Sequence, residues 1–168
     1  MYRSTGLKAA VTALLLMASP VPALAHAEDA PVATSDILSQ MFLWWNGAFK
    51  TPGAFTRENF AKFFTEDATL TLNGRVSIQG LDQWASSFQA NQARGGVVEI
   101  VVPFKEVFEA GDRIYTYHVI RSRRQGKVDC MLAAGHATLR DGKIASIVLV
   151  RAPLDPAKDT LDPQCWAQ

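Results

Sequence analysis

"IYTYHVIRSRRQGKVDCMLAAGH", residues 114 to 136, decides how this chain folds. Its first half is built from aromatic and β-branched residues, the types that suit a pleated surface. Gln125-Gly126 then offers a two-residue turn, and an apolar stretch returns. If the turn is that tight, Arg124 pairs with Lys127, Ser122 with Asp129, Ile120 with Met131, His118 with Ala133 and Thr116 with Gly135. Cross-strand partners share a face, so His118 lies with Thr116, Ile120, Met131, Ala133 and Gly135. The small residues among these leave room beside the imidazole. Tyr115, Tyr117, Arg121, Cys130 and His136 fall on the other, more polar side.

Two-residue turns recur around this hairpin. Gly111-Asp112 precedes it, and Asp141-Gly142 joins "VDCMLAAGHATLR" to "KIASIVLVRA". Upstream, "VVEIVVPFKEVFE" (97–109) alternates, with Val98, Ile100, Val102, Phe104, Glu106 and Phe108 as the more apolar set. That phase predicts Phe104 at the cavity side and brings Glu106 towards His118, where a carboxylate would fix the tautomer of an imidazole and raise its pKa. Asn73-Gly74 marks another hairpin in "ATLTLNGRVSIQG". Helical spacing appears in "DILSQMFLWWNGAF" after Ser35, a residue suited to capping, and in "RENFAKFF" after Thr56. It appears again in "LDQWASSFQANQA", with Leu81, Trp84, Ser87 and Phe88 on one side. Three helices followed by antiparallel strands predict an α+β fold with the helices on one face of a bent sheet.

The start of the chain reads differently. Arg3 and Lys8 precede the apolar run "AAVTALLLMA", and small-x-small sites end at Ala25 and Ala27, which is the pattern of a secretory signal peptide over residues 1–27. The expected domain spans residues 28–152, followed by a proline-rich tail at 153–168, in the periplasm or secreted. Without Arg3 and Lys8 the formal charge of +1 becomes −1, which leaves no basic footprint for nucleic acid and no attraction to an anionic membrane. Cys130 and Cys165 are the only cysteines. In an oxidising compartment they permit one disulfide pinning the tail; two free thiols are the alternative. With His26 removed, two histidines remain on opposite faces, so no metal site is expected. No phosphate loop, dinucleotide fingerprint or nucleophile elbow is present, and no cofactor is expected.

The ordered set "WWNGAF", "FAKFFTEDATL", "IQGLDQWASSF", "EVFEAGDRIYTYHV" and "LRDGKIASI" resembles nuclear-transport-factor-2-like proteins, and within them the SnoaL-like cyclases and ketosteroid isomerase. The resemblance covers about residues 35 to 152. It implies a curved antiparallel sheet wrapped as a cone around three N-terminal helices, enclosing a hydrophobic cavity. Ketosteroid isomerase's catalytic groups do not carry over: its base falls at Leu72, its oxyanion acid at Gly135 and its helix tyrosine at Met41. The orienting aspartate of dehydratase-like members falls at Asn46, which can hydrogen-bond but cannot act as a base. The Arg-x-Asp pair of the epoxide-hydrolase branch falls at His118 and Ile120.

Two functional readings follow. In the first, a cofactor-independent isomerase, dehydratase or lyase uses His118 to move a proton, with Asn46, Glu106 and Thr116 orienting it. Met41, Trp45, Trp84, Phe88, Phe104, Ile120 and Met131 would enclose a small hydrophobic or aromatic substrate. In the second, a binding module without turnover, the same cavity holds an apolar ligand or a dimer face joins a partner; apart from both, His118 can be a core histidine with no part in a site. A homodimer through the outer sheet face is expected in either case.

Overall fold

The computed structural model describes residues 36–166, so the signal-peptide reading and the Ser35 cap lie outside the described residues. The first helix, α1 (Ile37–Ala48), is capped by Asp36, whose carboxylate accepts from the Ser39 amide at 2.8 Å and from its hydroxyl at 2.6 Å. A single turn, α2 (Arg57–Phe60), is capped by Thr56. The helical spacing beyond it gives way at once to a strand: Phe64 already begins β1 (Phe64–Leu72). The Asn73-Gly74 turn leads into β2 (Arg75–Gln79), then α3 (Leu81–Ala93). The remainder is sheet: β3 (Val97–Ile100), β4 (Glu106–Ala110), β5 (Arg113–Arg124), β6 (Lys127–Arg140) and β7 (Lys143–Pro153).

The strands run in the order β2-β1-β7-β6-β5-β3, with β4 also pairing along β5. All neighbours are antiparallel except β1 and β7. The β5–β6 hairpin turns at Gln125-Gly126 and places His118 opposite Ala133 and Thr116 opposite Gly135. The sheet is strongly curled, and Gly135 sits where the curl is tight. A Cβ there would lie 1.9 Å from the Val148 carbonyl oxygen on β7, a separation only glycine permits.

The helices fill the inner face. Trp45, Phe55, Phe60, Phe64, Trp84 and Phe88 form a continuous aromatic cluster, with Trp45 and Phe88 ring centroids 4.1 Å apart and Phe64 and Trp84 4.6 Å apart. Each buried indole keeps its N–H satisfied: Trp45 donates to the Val98 carbonyl and Trp84 to that of Ala68, both at 3.2 Å. The side-chain amide of Gln92 on α3 donates to the backbone carbonyls of Ala48 and Phe49 at the end of α1, which ties the two helices together.

The tail folds back over the outer face of β6 and β5. Leu154 donates its amide to the Cys130 carbonyl, and Cys130 is disulfide-bonded to Cys165, 35 residues on. Lys105 pairs with Asp162 at 2.7 Å. Arg121, paired with Glu99, donates to the Gln164 carbonyl, and the guanidinium groups of Arg121 and Arg123 lie 5.0 and 5.1 Å from the Trp166 ring centroid.

Candidate functional site

A cavity of about 200 Å³ lies between the helices and the inner sheet face. Met41, Phe42 and Trp45 of α1 and Trp84 and Phe88 of α3 line one side. The sheet supplies Leu70, Ile78, Ile100, Ile120, Ile147 and Leu149. Leu72, Ser77, Val98, Phe88 and Arg151 are less buried than the rest and mark its rim. An engineered cavity of roughly 150 Å³ in another protein takes up benzene. The space here therefore suits one aromatic ring or a short aliphatic chain.

Met41, Trp45, Trp84, Phe88 and Ile120 thus stand where the sequence places them. The proposed catalytic set does not assemble. His118 points to the inner face and is wholly buried, but it does not line the cavity. Its ring lies 6.0 Å from that of Phe42, a wall residue, and 5.4 Å from that of Phe104. Its Nδ1 shares a hydrogen bond with the Thr116 hydroxyl at 3.2 Å, and Nε2 has no partner among the described residues. Burial pushes its pKa down from the ordinary 6.5 to about 4, so the imidazole is neutral at physiological pH. Phe104, Thr116 and Met131 are likewise absent from the cavity wall. Phe104 is taken up in packing against Phe42 and His118, and Thr116 in holding the imidazole. Met131 packs against the core without reaching the cavity.

Glu106 is on the other side of the sheet. Ile100 pairs with Ile120, yet Glu106 pairs with Tyr117. Six residue steps on one strand therefore face three on the other, and an odd excess reverses which face each side chain takes. Glu106 is exposed beside Tyr117, on the face opposite His118. Asn46 has a different task again. Its amide nitrogen donates to the Ile100 carbonyl at 2.7 Å and its oxygen accepts from the Ile100 amide at 3.0 Å. Both ends of the side chain are thus spent on β3, a sheet-edge strand whose backbone groups would otherwise lack partners.

The residues missed by sequence reasoning include Phe42, Leu70, Ile78 and Ile147, and above all the two polar rim groups, Ser77 and Arg151. Arg151 shares a face with Ile147 and Leu149, so the alternation "IVLVR" carried the signal. Its amide donates to the Asn73 side chain in the β1–β2 turn at 2.8 Å, which holds the strand end at the rim. Among the described residues no group of three or more His, Cys, Asp or Glu side chains could hold a metal ion, and no helix is long and apolar enough to cross a membrane.

Neither a protein-family model nor a curated protein matches the sequence. Solved structures do match the fold. An NTF2-like protein from Exiguobacterium sp. 255-15 is 22% identical with a TM-score of 0.54, covering 71% of this chain and 98% of that one. A putative SnoaL-like polyketide cyclase from Jannaschia sp. CCS1 is 17% identical with a TM-score of 0.52, covering 75% and 91%. A LEH-like epoxide hydrolase from M. tuberculosis is 16% identical with a TM-score of 0.50, covering 67% and 84%. At these identities the likeness is one of fold, the curled sheet over N-terminal helices.

Proposed function

We propose that this chain, an NTF2-like cone by fold, binds a small apolar molecule in its cavity and does not turn it over. The observation that carries this reading is the composition of the wall: among the residues lining the cavity there is no histidine, carboxylate, tyrosine or cysteine. General acid–base chemistry needs a titratable group within hydrogen-bond reach of the substrate. His118, the wholly buried titratable group of the inner face, is not on the cavity wall, and its depressed pKa makes it a poor proton donor at neutral pH. The cyclase and hydrolase chemistry named for the fold's neighbours therefore finds no counterpart in this wall. What the wall does supply is apolar surface, the main source of affinity for a ligand of this size. We propose further that the domain works outside the cytoplasm, a reading supported by the Cys130–Cys165 disulfide and the leader-like residues 1–27.

Trp45 and Trp84 both line the cavity, so their fluorescence reports an occupant directly. Titration with 1-hexanol should give a saturable change with one site per chain, and a melting temperature that rises with ligand concentration. A linear, unsaturable response with no shift in melting would contradict the proposal.

A further inference from the structure

Among the described residues, Arg151 is the only charged one on the cavity wall. It arrives there because Ile147, Leu149 and Arg151 alternate onto the inner face of β7, and because Asn73 clamps the Arg151 amide at the rim. Its Nε is buried and has no hydrogen-bond partner, and its guanidinium joins no ion pair among the described residues. The arginines that are paired behave differently: Arg57, Arg113, Arg121 and Arg140 each meet a carboxylate. No acid stands among the lining residues to do the same for Arg151.

A guanidinium stays charged at any pH a protein experiences. Setting one against hydrocarbon without a counter-charge is unfavourable, and burying it further under a purely apolar ligand would make it more so. A carboxylate removes that conflict. The terminal nitrogens of an arginine form a planar fork that a carboxylate meets with two parallel hydrogen bonds, without needing the buried Nε. Ser77, on the same rim, is exposed and makes only a long contact to the Arg75 carbonyl at 3.4 Å, so its hydroxyl is free to contribute.

We infer that the ligand is amphipathic: a short aliphatic chain or single ring that fills the cavity, carrying a carboxylate held by Arg151 at the rim. This inference rests on the cavity-binding reading above and adds the chemical class of the ligand to it. The size follows from the cavity, since about 200 Å³ accommodates a chain of roughly six carbons and not a long acyl chain.

The test compares hexanoate, 1-hexanol and hexylamine on the full chain at pH 7.5, followed by Trp fluorescence and calorimetry. Hexanoate should bind at least about tenfold more tightly than 1-hexanol, the usual strength of a charge-assisted pair, and hexylammonium should bind more weakly than either. In Arg151→Met the ratio of hexanoate to hexanol affinity should collapse to near one, and in Arg151→Lys it should be partly restored. If 1-hexanol binds and hexanoate binds no better, the inference is overturned while the apolar site survives. If the hexanoate preference persists in Arg151→Met, it is overturned as well. If none of the three binds, the cavity reading itself fails. Should Arg151→Met not fold, the comparison of the three probes on the parent protein still decides the matter.

Discussion

His118 is where two accounts of this protein part. A histidine in the middle of an apolar strand, facing inward, has the chemistry of a general base and the surroundings of a core residue. We read it as a core residue: it does not line the cavity, and Phe42, which does, lies beside the imidazole with ring centroids 6.0 Å apart. The neutral state that burial imposes has a consequence for stability. The unfolded chain binds a proton near pH 6.5, whereas the folded protein resists it until about pH 4. Between those values unfolding takes up a proton, so stability is present above pH 6.5 and is lost progressively as pH falls towards 4. The loss attributable to His118 is about 2 kcal/mol between pH 7.5 and pH 5. His118→Leu should remove that share of the slope while costing about 1 kcal/mol at pH 7.5 through the lost Thr116 hydrogen bond. His136, whose pKa is also lowered by partial burial and by Arg113, is present in both proteins and cancels. Urea melts of the two proteins at both pH values measure the difference; parallel losses would mean that His118 is not held neutral by burial.

At the scale of elements, the sheet was legible wherever a two-residue turn sets the register. Gln125-Gly126 pairs Arg124 with Lys127, and the alternation then carries His118, Ile120 and Thr116 to the inner face as expected. It failed where residues loop out of the ladder. The stretch between Ile100 and Glu106 carries an odd excess over its partner strand, which turned the expected His118–Glu106 pair into residues on opposite faces. Composition does not reveal such an excess, because "VVPFKEV" reads as continuous strand. A register shift between Thr138 and Leu139 likewise decides that Arg151 faces inward, opposite Ala133. The helix side of the site was half legible. Met41, Trp45, Trp84 and Phe88 follow from helical spacing, but that Phe42 would line the cavity and lie beside His118 depends on packing between α1 and the sheet, which no local pattern encodes. The curl that brings β6 and β7 together has its own test. Gly135→Ala would drive a methyl group into the Val148 carbonyl, and should lower stability by about 1–3 kcal/mol with the backbone forced apart. A variant as stable as the parent would show that the sheet is looser there than described.

Across the whole molecule, the C-terminal tail alters what the outer sheet face can do. From Leu154 to Trp166 it is fastened at Cys130, Lys105 and Arg121, so that part of the face is closed to a partner. A disulfide closing a loop of 35 residues contributes about 3–4 kcal/mol in the chain-entropy view. Reduction should lower the urea midpoint accordingly and leave ligand binding intact, since neither cysteine lines the cavity. An unchanged midpoint would mean that the fold does not depend on the strap. Self-association, which we propose through the same face, is confined to the part left open around β4. There Phe108 is 61% exposed and stacks on Tyr115 with ring centroids 4.8 Å apart. Sedimentation velocity should show a dimer that Phe108→Glu converts to monomer; a parent protein that sediments as a monomer at all concentrations would rule this out.

On the binding reading the ligand sits in the apolar cavity and His118 plays no part in holding it. The most direct test of that reading is the affinity for 1-hexanol, by tryptophan fluorescence, of two variants beside the parent. Leu70→Phe places added bulk in the cavity wall, whereas His118→Leu changes a buried residue that does not line it. The account predicts a loss of about tenfold or more in Leu70→Phe and an affinity within about twofold of the parent in His118→Leu. The reverse pattern, binding lost with His118 and indifferent to Leu70, would contradict it and return the histidine to the centre of the site.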